Sequence, residues 1–223
     1  LIPVRSNDPS VLARLRNHPG VSIEEGLTKS PLSFGNRTVE VGKLLPLRGL
    51  VEIVDNNPLI CTNQFSVPSP LATLILIAVS PLIDAGLLLE PPVVQTNLAV
   101  ENLDEFLGFD ATISSEPQSF GSVGVSTVIS AIQTPARVED LDDLYEERYG
   151  RSFYVRRAEQ GIWDTQEVAG KPHAAYRLRI APDNPSSLLT VQVMADLDGK
   201  LGSAQVIHAF NVMNGFEETA GIL

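Results

Sequence analysis

Hydrophobic and polar positions switch between a period near two and a period near 3.6 along the chain, and the switches mark the predicted elements. Leu1 to Val4 predicts a short strand. Asp8-Pro9 predicts a helix start, with Asp8 at N-cap, Pro9 at N1, and Val11, Leu12 and Leu15 on one face. His18-Pro19-Gly20 stops that helix. Val21 to Ile23 reads as a strand, and Thr38 to Val41 as another within a turn-rich stretch. The Pro-, Asn- and Ser-rich residues from Asn56 to Pro70 read as a boundary. Ser69-Pro70 opens a helix through Leu71, Leu74, Ile75 and Ala78, which Pro81 is expected to kink or split near Ser80, with Gly86 as C-cap. Strands follow at Pro92 to Thr96, Val123 to Ala131, Tyr176 to Ile180 and Leu189 to Ala195. Short helices are expected at Leu103 to Leu107 and Val138 to Tyr145. Val206, Ile207, Phe210 and Met213 give a last helix one face, closed by Asn214-Gly215.

Composition narrows the class of protein. The chain has 223 residues, 43% hydrophobic and 19% charged, which suits a folded globular protein of one large or two small domains. A formal net charge of -11 repels phosphate backbones and anionic lipid, so no nucleic acid is expected as a partner. The longest apolar run, Leu71 to Val79, is far short of the roughly 20 residues a spanning helix needs, so no membrane insertion is expected. The chain opens on Leu1 with no secretory or basic transit segment, and reads as processed, truncated or lacking its native start. Cys61 is the single cysteine, which rules out an internal disulfide, and the three histidines lack ligand spacing, so no metal is expected. An intracellular, soluble protein follows as the expectation, compatible with an organelle such as the mitochondrion and not with secretion.

Several stretches carry a family resemblance. Gly202-Ser203-Ala204-Gln205, Asn211-Val212-Met213 and Gly215-Phe216-Glu217-Glu218-Thr219-Ala220-Gly221 together resemble the C-terminal signature of the N-acetyl-γ-glutamyl-phosphate reductases. Tyr154-Val155-Arg156, Val168-Ala169-Gly170, Leu12 to Pro19, Leu44 to Leu50 and Leu71 to Leu87 are similar to further segments of that family. The resemblance implies an α/β chain with a truncated Rossmann-like N-terminal domain over 1–55. It implies an α+β catalytic and dimerisation domain of semialdehyde dehydrogenase type over 56–201, and a C-terminal helix over 202–223 that returns to the first domain. The family reduces an acyl phosphate to a semialdehyde with NADPH in arginine biosynthesis, through a cysteine thioester and a histidine acid/base.

Set against that chemistry, the site positions read as degenerate. Counting back from Arg14 puts Pro3, Ser6 and Pro9 where the family's dinucleotide loop has three glycines. Proline offers no N–H and restricts the turn, and Asp8 puts a carboxylate where a diphosphate would sit. Asn57-Pro58-Leu59-Ile60-Cys61 is reminiscent of the nucleophile motif, but the following helix starts only near Pro70; aligned on that helix, the cysteine position falls at Pro68 or Ser69. The stretch matching the histidine motif, Asn97 to Leu103, holds no histidine. His18 and His208 read as packing or surface residues, whereas His173 lies near where the family binds substrate. Lys200, with Asp196 and Gly202, keeps part of a family segment and is a second candidate substrate contact. The rest of the nucleotide-binding sheet, expected between Asp55 and Asn57, and a Gly-rich flap, expected between Gln95 and Asn97, are missing.

The losses fall on ligand-binding parts and the survivors are core helices and strands. The expected function is that of a catalytically degenerate reductase-like protein acting as a structural or interaction subunit, a homo-oligomer or part of a larger complex, with no cofactor. The alternative is an active NADP-dependent reductase with Cys61 as nucleophile.

Overall fold

The computed structural model describes residues 1–100, 103–159, 163–183 and 185–222. Its first half opens with β1 (Ile2–Arg5), α1 (Pro9–Leu15), β2 (Val21–Ile23), β3 (Leu32–Phe34) and β4 (Arg37–Val41). It continues with α2 (Asn56–Cys61), β5 (Gln64–Val67) and α3 (Pro70–Asp84). The second half holds β6 (Val93–Thr96), α4 (Asp104–Leu107), β7 (Thr112–Ser115), β8 (Val123–Gln133), α5 (Glu139–Tyr149), β9 (Val155–Arg157), β10 (Ala174–Ala181), β11 (Ser186–Asp196) and α6 (Ser203–Asn214).

Two mixed sheets result. The first runs β2-β1-β3-β4-β5, and the second β7-β6-β8-β11-β10-β9. In the first, β1–α1–β2 is a parallel crossover, and the antiparallel hairpin β3–β4 lies between β1 and β5. In the second, the long strands β8 and β11 pair over their whole length, from Val123 with Asp196 to Gln133 with Ser186. Strict alternation in β8 buries Val128 and Ile132 on one face and leaves Val125, Thr127, Ile129 and Ala131 partly open on the other.

The stretch from Asn56 to Pro70, read as a boundary, instead folds as α2 and β5. The first sheet therefore continues past residue 55, since β5 pairs with β4 from Thr38 with Gln64 to Val41 with Val67. Asn and Pro at 56–58 are helix-start residues here, and the short run Phe65-Ser66-Val67 is buried outright rather than alternating, so periodicity could not mark it. Helix α6 is buried on nearly every side and packs on α1, α2, β4 and β5.

Pro81 does not split its helix. Helix α3 runs unbroken from Pro70 to Asp84 with Pro81 inside it. A proline there removes the hydrogen bond to the carbonyl four residues earlier, that of Ile77. The Tyr149 hydroxyl donates to Ile77 O at 3.0 Å, and the Tyr145 hydroxyl donates to the next carbonyl, Ala78 O. Burial pushes both phenols up, so they remain donors. Tyr149→Phe is expected to strand the Ile77 carbonyl and lower stability by about 1–3 kcal/mol. Urea unfolding measures it, and an unchanged midpoint would show that the hydroxyl does not hold the helix together at Pro81.

Among the described residues no helix is long and apolar enough to cross a membrane. Nor, among them, is any group of three or more His, Cys, Asp or Glu side chains placed to hold a metal ion.

Candidate functional site

The site is built from the end of β11 upward. The Asp196 carboxylate accepts from the backbone N–H of Gly170 at 2.8 Å, of Asp198 at 2.9 Å and of Gly199 at 3.1 Å, and from the Ser122 hydroxyl. Burial would raise this carboxyl, but these donors win and hold it below its ordinary value. They fold residues 197–202 into a compact turn. A Cβ on Gly199 would lie 2.1 Å from Lys171 O, so only glycine lets the turn close.

That turn sends Lys200 inward. Its ammonium lies 2.6 Å from Glu52 Oε1, with the two side chains 0% and 5% exposed. Glu52 comes from the turn after Leu50, where the Ile53 and Val54 amides both donate to Leu50 O. Burial alone would raise the Glu52 carboxyl, but the Lys200 ammonium holds it below the ordinary carboxylate range. Nζ also lies 5.3 Å from the centre of the Tyr154 ring, and that ring stacks on His208 with centroids 4.0 Å apart. The Tyr154 hydroxyl donates to Glu218 O at 2.6 Å.

His208 sits between two acids. Its Nε2 is 3.2 Å from Glu218 Oε2, and its Nδ1 is 3.8 Å from Glu52 Oε1, too long for a hydrogen bond. Burial lowers the imidazole below its ordinary value, so the ring is neutral at pH 7, with its proton assigned to Nε2. Glu52, His208 and Glu218 all line a cavity of about 670 Å³, together with Arg148 and Arg151.

The residues singled out from the sequence do not gather here, Lys200 excepted. Cys61 is exposed at the last position of α2, the carbonyl end, whose dipole works against a thiolate. Its charged neighbour Arg37 is taken up by the carbonyls of Thr62, Met213, Leu59 and Ile60. His173 precedes β10 beside Arg156 and Lys171; burial and these cations push its pKa down to about 4, which makes it a weak base. Ser69 is the N-cap residue of α3 and is buried. Beside it, the Gln205 amide donates to Pro68 O at 3.1 Å and to Thr73 Oγ1 at 3.2 Å. The start of α3 is thus occupied by protein polar groups. Of the stretch Asn97 to Leu103, Glu101 and Asn102 lie outside the described residues.

The turn before α1 bears on the dinucleotide that the resemblance implies. Asp8 Oδ1 accepts from Ser10 N at 2.8 Å and caps the helix. The Ser6 hydroxyl donates to Pro31 O, and Asn7 Nδ2 donates to Lys29 O at 3.1 Å. Ser6, Asn7 and Asp8 are thus all engaged within the chain, and Pro3 and Pro9, which have no N–H to offer a diphosphate, lie on either side of them.

Sequence reading missed Glu52, His208 and Glu218 as parts of one site. Gln205, His208 and Asn211 recur every third residue on an otherwise apolar, buried helix, and that polar stripe is the signal for His208. A lone acid in a turn, such as Glu52, carries no comparable signal.

No family model matches the chain. N-acetyl-gamma-glutamyl-phosphate reductase of Bacillus cereus is 32% identical over 97 residues, 43% of this chain and 28% of that protein. The Bacillus subtilis enzyme of the same name is 28% identical over 99 residues, again 28% of its length. The matched stretch thus spans little more than a quarter of these relatives. Aspartate semialdehyde dehydrogenase II of Vibrio cholerae superposes with a TM-score of 0.55 at 14% identity, over 75% of this chain and 68% of that one. In sequence, then, the chain has a distant and partial similarity to the N-acetyl-gamma-glutamyl-phosphate reductases, and in structure it carries the mixed α/β fold of an aspartate semialdehyde dehydrogenase.

Proposed function

We propose that this chain is a catalytically degenerate reductase-like protein whose retained fold serves as a structural or interaction subunit. The observation that carries the reading is the turn before α1, where Asp8 caps the helix and Ser6 and Asn7 bond to the 29–31 segment. A dinucleotide entering there would displace these bonds and meet the Asp8 carboxylate, a like-charge contact worth up to about 4 kcal/mol near a protein surface. Two further observations support it. Cys61 lies at the wrong end of α2 for thiolate chemistry, and Gln205 packs the start of α3. The subunit role draws on the open face of the second sheet, where Val93 and Leu188 are 43% and 52% exposed and a second copy could dock.

Calorimetric titration with NADPH is the test, run beside sedimentation to read the chain's mass. The expected result is no binding at about 100 μM NADPH and a mass above that of one chain. Micromolar affinity for NADPH overturns the degenerate reading, and a single-chain mass at all concentrations overturns self-association.

A further inference from the structure

We propose that the cavity between the 51–58 segment, the end of α5 and α6 is a binding site for a small zwitterion, an α-amino acid with ammonium and carboxylate both free. Its volume of about 670 Å³ falls within the range of small-molecule sites. Its lining carries charges of both signs. Glu52, Asp55 and Glu218 supply carboxylates to it, and Arg148 and Arg151 supply guanidiniums. Among the described residues no ion pair joins these acids to these arginines. Arg148 pairs with Asp84, Glu52 pairs with Lys200, and the exposed Arg151 has no ion-pair partner among the described residues. Opposite charges that share a cavity without meeting match a ligand that carries both.

Buried groups point the same way. Glu52 Oε2 and His208 Nδ1 are both buried and both lack a hydrogen-bond partner among the described residues. Their side chains are only 5% and 2% exposed. With the ring proton on Nε2, both orphans are acceptors, and each is unfavourable while unmet. An ammonium supplies three donors to such acceptors. A lone phosphate would face three carboxylates, and a polyamine would face two guanidiniums. The site stands apart from the dinucleotide question, because none of its residues belongs to the turn before α1.

Calorimetric titration of the full chain with L-alanine, L-leucine and L-glutamine, each to about 10 mM, tests the site. At least one is expected to bind with a Kd of about 1 mM or tighter, in keeping with ligands of this size. The N-acetyl derivative and the amide of that amino acid each lack one charge, and are expected to bind at least about 10-fold more weakly. Arg151→Gln, at an exposed residue, is expected to weaken binding about 10-fold and leave the unfolding midpoint in place. No binding by any of the three, equal binding of a blocked derivative, or an unaffected Arg151→Gln variant each overturns the proposal.

Discussion

Lys200→Met is expected to destabilise the protein by about 3–5 kcal/mol, because it leaves the Glu52 carboxylate buried without its cation. The methionine matches the stem of the lysine, so packing is nearly kept and the charge is what changes. The loss should depend on pH. In the native chain the folded Glu52 carboxyl lies below its ordinary value of 4.5, so its contribution is present above that pH and fades as the pH falls. Without Lys200, burial raises the same carboxyl, and the folded variant takes up a proton that the unfolded chain does not hold. Its stability then drops as the pH rises. The gap between the two chains should therefore widen from about pH 5 to about pH 8. A Glu52→Leu/Lys200→Met double variant removes both charges, and is expected to recover most of the loss. Urea unfolding across that range decides the matter. A single variant whose deficit is constant with pH, and unrelieved by the second substitution, would mean that Lys200 acts by packing alone.

What the sequence made legible divides by physical cause. Elements whose signals are local came through. Asp8-Pro9 starts α1 because an acceptor side chain and a proline suit the first turn, and Gly215 ends α6 in the left-handed conformation, at φ 67°. Elements set by distant partners did not. Nothing near Pro81 announces that a tyrosine 68 positions later in the chain would replace its missing hydrogen bond. Strand β5 is short and buried, so its pairing with β4 rather than its own pattern decides its state. The candidate site followed the same rule. Lys200 could be singled out because it belongs to a motif, but its partner Glu52 lies 148 residues away in the chain, in a turn. The family motifs themselves turned out to be spatially joined, since Tyr154, Lys200 and Glu218 meet around His208.

Asn211→Leu is expected to cost on the order of 3–5 kcal/mol, because one amide ties α6 both to the closing 218–220 stretch and to His18 just past the end of α1. Asn211 Nδ2 donates to Glu218 O at 2.9 Å and to Ala220 O at 3.0 Å. The other side of the amide meets His18, whose Nε2 lies 2.9 Å from Asn211 Oδ1. The roles are fixed, since Gly20 N donates to His18 Nδ1 at 3.0 Å and so leaves the ring proton on Nε2. Leucine has nearly the same shape and leaves Ala220 O and His18 Nε2 unmet, while Glu218 O keeps only the Tyr154 hydroxyl as donor. The segment after α6 should then lift from His18, carrying with it Glu218, the acceptor for His208. Gly221→Ala strikes the same contact from the other side. Gly221 has φ +72°, and a Cβ there would lie 2.8 Å from the His18 ring. Because both substitutions release one contact, their losses should fall well short of additive in the double variant. Urea midpoints of the two singles and the double measure this. Full additivity would mean that the segment has separate anchors, and that Asn211 is not the tie between the His18-Pro19 helix end and the closing Glu218-Thr219-Ala220-Gly221.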